Sequence, residues 1–295
     1  MPKKTPPLPR KAPGIPPSPP PIQQRKRKTF TTNPWTGSGQ GEKIGIYGGS
    51  GVGKTSLAAI MPNPIFLGVD DGGRKIRHPV TGEPLQYVEG VETFEDTRDA
   101  LAQTDLWPVG SSCVIDTFTV LENLAEPYMF KHLKHEKGQF VSSLEGYGYG
   151  KGYTHLFETM RLILQDLDQL VRRGVNVCLI CQNMAVKRAN PGGMDFLEDG
   201  PKLSHPSSEK NSVRLHMCEW ADHIFRVGYY ETAVQGPENA RVGKIIGSTT
   251  RAIYTMPEVH FFAKTRTLTD PVVSFETPED DSIWRLLFPE QYPDG

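Results

Sequence analysis

The stretch Lys43-Ile-Gly-Ile-Tyr-Gly-Gly-Ser-Gly-Val-Gly-Lys-Thr-Ser56 restricts what this chain can fold into more than any other. Its apolar residues Ile44, Ile46 and Tyr47 read as a strand that ends at Gly48, and Gly48-x-x-x-x-Gly53-Lys54-Thr55 then opens a helix. That is the phosphate-loop pattern in the strand-to-helix setting it needs. Backbone N–H groups must converge on phosphate oxygens, and Gly48, Gly49, Gly51 and Gly53 allow the positive or close-packed dihedrals this takes. Lys54 is spaced to reach the β- and γ-phosphates and the Thr55 hydroxyl to bind Mg²⁺, while the helix presents its positive end to the anion. The expected nucleotide-binding set is therefore Gly48, Gly49, Ser50, Gly51, Val52, Gly53, Lys54, Thr55 and Ser56.

Three later apolar runs read as parallel strands, and each ends in polar residues, where α/β sheets build their sites. Ile65 to Val69 runs into Asp70-Asp71-Gly72-Gly73, and Val175 to Gln182 ends in an amide. Ser112-Cys-Val-Ile-Asp116 delivers one carboxylate, which makes Asp116 the candidate for the water shell of Mg²⁺ beside Thr55. Between these runs, Thr93 to Asp96 resembles a capping box that opens a helix, and Val120 to about Leu133 reads as another. Leu156, Met160, Ile163, Leu167 and Leu170 recur at offsets of four and three, one apolar helix face that Gly174 stops. Residues 183–212 carry four basic and four acidic residues without periodicity and read as a long loop. Ala221 to Tyr230, Val242 to Ser248, Arg251 to Tyr254 and Val259 to Lys264 read as strands of an antiparallel extension. Asp281 to Phe288 is helix-like, and the sequence leaves open whether it packs on the domain or stands out as a peptide.

Charge divides the chain. Residues 1–40 hold eight basic and no acidic residues, so the tail is +8 and the body, from a total of −1, is −9. The same segment has eleven of the 26 prolines and few aliphatic residues, a composition that predicts disorder with polyproline II character. Its Pro-x-x-P spacings and Arg25-Lys-Arg-Lys28 suit a docking or tethering role, with a solvated linker as the plainer reading. No apolar run reaches the roughly 18 residues of a membrane span, and no signal-peptide core is present, so a cytoplasmic location without membrane contact is expected. Cys113, Cys178, Cys181 and Cys218 sit in or near apolar runs and read as reduced core residues; Cys178 and Cys181 would face opposite sides of a strand.

The order of phosphate loop, acidic strand end, Walker B aspartate, amide-ended strand and late Ala263-Lys264-Thr-Arg266 resembles the RecA-like ATPases. It is most similar to phage-encoded AAA-type ATP-binding proteins grouped with single-strand annealing and recombination functions. Val69-Asp-Asp-Gly-Gly73 and Tyr149-Gly-Lys-Gly-Tyr153 add to the likeness, which covers about residues 41–275. The resemblance implies an α/β RecA-like fold: a mostly parallel central sheet flanked by helices, with an antiparallel C-terminal extension. Domains would run 1–40 (tail), 41–275 (ATPase) and 276–295 (C-terminal tail or helix). It also implies ATP and Mg²⁺ as cofactors, homo-oligomers, and action on single-stranded DNA in phage recombination, repair or replication, with a protein partner on the tail. Asp71 matches a glutamate that polarises the attacking water and is one methylene shorter. Gln182 matches a γ-phosphate sensor that relays to the following loop, and Lys264 and Arg266 match cations that reach a neighbouring subunit's γ-phosphate. Two other functions stay open: a slow ATP-gated protein that recruits a partner through the tail, and a small-molecule phosphotransferase. A kinase lid would want several arginines, and residues 183–212 supply only Arg188; the guanine motif of GTPases does not occur.

Overall fold

Period-two alternation sorts the central strands onto two buried faces. In β1 (Lys43–Gly48), Ile44 and Ile46 face one side and Tyr47 the other; in β3 (Ser112–Asp116), Val114 opposes Cys113 and Ile115. In β4 (Asn176–Arg188), Cys178 and Ile180 share a face with Ile44, whereas Val177, Leu179 and Cys181 point away. Burial on both sides is why these strands read as unbroken apolar runs. It also separates Cys178 from Cys181, as expected, and all four cysteines are free and buried.

The computed structural model describes residues 39–69, 71–190, 192–234 and 244–292, together with 29, 31, 32 and 37. The Pro-rich tail expected over 1–40 thus lies almost wholly outside the described residues. One face of the sheet is covered by α2 (Phe94–Ala102), α3 (Phe118–His132), α4 (Lys151–Arg172) and α5 (Val213–Trp220). The other is covered by α1 (Lys54–Ala59) and α6 (Ser282–Leu287). The Thr93 capping box is present, with Asp96 N–H donating to Thr93 Oγ1 at 3.1 Å and Thr93 N–H to Asp96 Oδ2 at 2.8 Å. The five apolar residues that mark α4 are all buried.

With β2 (Pro64–Gly68), β6 (His223–Val234), β7 (Lys244–Tyr254) and β8 (Val272–Ser274), the strand order is β2-β3-β4-β1-β6-β7-β8. The first five are parallel, and β7 and β8 are antiparallel, the expected α/β architecture with its C-terminal extension. β4 lies between the phosphate-loop strand and the Asp116 strand. Among the described residues no helix is long and apolar enough to cross a membrane.

Three segments differ from the sequence reading. Of the expected strand Val242 to Ser248, Val242 and Gly243 lie outside the described residues, and the rest forms one strand, β7, with Arg251 to Tyr254. Val259 to Lys264 is not a strand, because it pairs with two strands in succession: Phe262 N–H donates to Asp199 O (2.9 Å) and Lys264 N–H to Ile224 O (3.0 Å). Residues 183–212 are no long loop. β4 runs on to Arg188 and pairs antiparallel with β5 (Phe196–Pro201), after which Ser212 caps α5 by accepting from Leu215 N–H at 3.1 Å. Apolar and polar residues mix on each face of this hairpin, with Met184, Val186 and Phe196 beside Arg188 and Glu198 on one and Ala185 and Leu197 beside Lys187 and Asp199 on the other, so it shows no apolar period. Charges anchor it: Glu198 contacts Arg188 (2.9 Å) and buried Arg214 (3.5 Å), and Asp199 contacts Arg226 (3.6 Å). The C-terminal helix packs on the domain: Trp284 is fully buried and its Nε1–H donates to Leu57 O at 2.8 Å.

Candidate nucleotide-binding site

The strand register brings the polar strand ends together. Gly48 pairs with Gln182, and Asp116 pairs with Ile180 two residues below it on the same β4. Gly48 has to be glycine because a β-carbon there would stand 2.2 Å from Val227 O. Gly53 takes φ +98°, in the left-handed region, which turns the chain into α1.

Across the loop, Thr55 Oγ1 donates to Asp116 Oδ2 at 2.8 Å, joining residues 61 apart in sequence. Asp116 is only 6% exposed. Lys54 Nζ donates to Gly48 O (2.9 Å) and Gly49 O (2.7 Å), folding its charge over the loop. Burial pulls the Lys54 ammonium below its ordinary value, and the Asp116 carboxylate pulls it back up. Among the described residues the ammonium's hydrogen bonds go to carbonyls, and a half-buried cation so held gains when an anion arrives. One hydroxyl and one carboxylate form an oxygen-only pair, the donor set that suits Mg²⁺, which otherwise keeps waters and phosphate oxygens.

Gln182 joins this edge. Its N–H donates to Thr119 Oγ1 (3.1 Å), and its Oε1 accepts from Lys202 Nζ (3.2 Å). Lys202 is also pinned through its backbone, since its N–H donates to Gln182 O (2.7 Å) and its carbonyl accepts from Thr119 Oγ1 (3.0 Å). Lys202 escaped the sequence reading because only the unforeseen hairpin returns it to Gln182. Glu122, one turn further along α3, accepts the Ser204 N–H at 2.9 and 3.0 Å. Burial pushes its carboxyl up to about 7, against that hydrogen bond and with help from Glu126.

Asp71 opens a single 3-10 turn after β2, but its side chain and all of Asp70 lie outside the described residues. Lys264 and Arg266 are not brought to this site within one chain. Lys264 pairs with Ile224, which lies beside Gly45 in the first half of β1, away from the phosphate loop. Its ammonium caps α5 by donating to Cys218 O (3.0 Å), Glu219 O (3.2 Å) and Ala221 O (2.5 Å). Arg266 pairs with Asp222 at 2.7 Å.

A family profile described as AAA domain matches residues 40–267. No curated protein matches the chain in sequence. Among solved structures, the RadB recombinase is similar with a TM-score of 0.40 at 12% identity, over 81% of this chain and 89% of that one. A KaiC-like protein from the hyperthermophilic archaeon Pyrococcus horikoshii OT3 gives 0.36 at 12% identity, over 80% of this chain and 90% of its own.

Proposed function

Because the chain belongs to the AAA domain family, a P-loop nucleotide-binding ATPase group, we propose that it hydrolyses Mg²⁺-ATP as a homo-oligomer acting on single-stranded DNA. The observation that carries the ATPase reading is the 2.8 Å contact between Thr55 and Asp116, with Lys54 folded over the same loop. Phosphoryl transfer is catalysed mainly by positioning and charge neutralisation. In this reading the loop N–H groups and Lys54 hold the β- and γ-phosphates, Thr55 and Asp116 hold the Mg²⁺ that neutralises them, and Asp71 orients the attacking water. Gln182 senses the γ-phosphate, and Lys202 and Thr119 link it to the base of the β4–β5 hairpin. Lys264 and Arg266 serve a neighbouring subunit, since their own phosphate loop is out of reach. The likeness to phage-encoded recombination ATPases favours DNA as the hairpin's ligand, in recombination, repair or replication.

The test is ATP turnover by the full chain with and without single-stranded DNA, beside Lys54→Ala. We expect DNA to stimulate the parent and Lys54→Ala to lose turnover. Undiminished turnover in Lys54→Ala would remove the loop from the chemistry. Turnover that depends on Lys54 but ignores DNA would leave an ATP-gated protein that recruits a partner by other means.

A further inference from the structure

β7 carries a cation to the phosphate loop that none of the motifs predicts. Arg251 lies two residues before Ile253, whose side chain is in the core beside α1, so the period of two puts Arg251 on that same face. It pairs with Tyr229, two residues beyond the Val227 whose carbonyl abuts Gly48. A β-carbon on Gly53, one bond of about 1.5 Å from its Cα, would stand 2.6 Å from Arg251 Nη1 and 2.9 Å from Phe275 Cε1. Only a glycine lets the guanidinium and the ring approach the loop this closely.

The partners of Arg251 leave its charge uncancelled. Its guanidinium stacks on the buried Phe275 ring at 4.5 Å and donates from Nη2 to Glu276 O at 3.2 Å. Among the described residues no carboxylate forms an ion pair with it. Lys54, also at the loop, donates its hydrogen bonds to carbonyls, with the Asp116 carboxylate near enough to favour its charge. Two cations at the loop, against the one carboxylate of Asp116, raise the local potential, and such an arrangement becomes more favourable when a multiply charged anion enters. A ring beneath a guanidinium also fixes the plane of its donors, as bidentate phosphate recognition requires.

We infer that Arg251 is a nucleotide-binding residue that reaches the polyphosphate from its own subunit, beside Gly53, and so sets affinity where Lys264 and Arg266 would set rate across a boundary. The inference rests on the phosphate loop being the nucleotide site. A charge-assisted hydrogen bond of this kind is worth about 10- to 100-fold in affinity.

The test is calorimetric binding of Mg²⁺-ATP, Mg²⁺-ADP and adenosine to the parent, Arg251→Met, Arg251→Lys and Lys54→Ala. Methionine keeps an apolar stem over Phe275, and melting without nucleotide shows whether the fold is kept. We expect Arg251→Met to lose about 10- to 100-fold for ATP and ADP, with a shallower salt dependence, an unchanged weak affinity for adenosine and partial rescue in Arg251→Lys. Parent-like ATP binding by Arg251→Met while Lys54→Ala loses it overturns the inference and leaves the site intact. An equal loss for adenosine overturns it too, because the effect would then pass through the base or the packing. If neither variant changes binding, the loop is not the nucleotide site and the inference falls with it.

Discussion

Glu122 is the residue whose charge state the fold disturbs most usefully for experiment. Its carboxyl titrates at about 7 in the folded protein against 4.5 in the open chain, so between those values the folded state binds more protons than the unfolded one. Stability from this group is therefore greatest below pH 4.5 and falls as pH rises towards 7. Glu122→Gln keeps an acceptor for the Ser204 N–H and removes the charge. It should flatten the pH dependence and raise stability at pH 8 by at most about 3 kcal/mol, since each tenfold change in acidity corresponds to about 1.4 kcal/mol. Denaturant unfolding at pH 5 and pH 8 checks this, and parallel curves for parent and variant would refute it. At this scale the glycine turns at Gly48 and Gly53 and the meeting of Thr55 with Asp116 were legible, because the phosphate-loop pattern dictates residue types at the strand ends. Glu122, Lys202 and Arg251 were not, since each takes its meaning from a partner 20 to about 200 residues away that only the fold supplies.

Elements were legible where their causes are local. The Thr93 capping box and the α4 stripe need only neighbours within a turn or two, and both stand as read. The β4–β5 hairpin escaped because its apolar and polar residues mix on each face and arginine–carboxylate pairs anchor it. α5 escaped because its start is signalled by Ser212 alone, within a stretch of Ser, Asn, Lys and Pro that reads as turn. α6 carries the element-scale prediction. Trp284 is fully buried against α1 and donates to Leu57 O, so Trp284→Ala should cost about 3–5 kcal/mol and Trp284→Phe about 1–3, the latter reporting the unpaired carbonyl and lost volume. Thermal and denaturant melts measure both. Parent-like stability in Trp284→Ala would mean that the C-terminal segment is dispensable to the core.

At the scale of the whole molecule, the proposed cations at Lys264 and Arg266 lie away from the loop they would serve, so their effect is a property of assemblies. A finger cation is worth a factor of roughly 10³ to 10⁵ in rate, and an exposed ion pair such as Arg266 with Asp222 is worth very little to turnover. Arg266→Ala should bind ATP and turn it over poorly, and mixing it with Lys54→Ala should restore part of the rate at interfaces that combine one intact cation with one intact loop. Parent-like turnover by Arg266→Ala would sink that role, and a slow variant that no mixing rescues would relocate it within the subunit. The strand order also governs how the chain is made. β1 leaves the ribosome early, yet its two sheet neighbours are β4 and β6, whose first paired residues, Val177 and His223, come more than 130 residues later. At about 5–20 residues per second, that is a wait of roughly 7 to 30 seconds. Throughout it an apolar strand and the glycine loop behind it have no edge to join. Nascent chains shorter than about residue 190 should therefore be held by chaperones and cut readily by protease near Gly48, and become resistant once β6 has emerged.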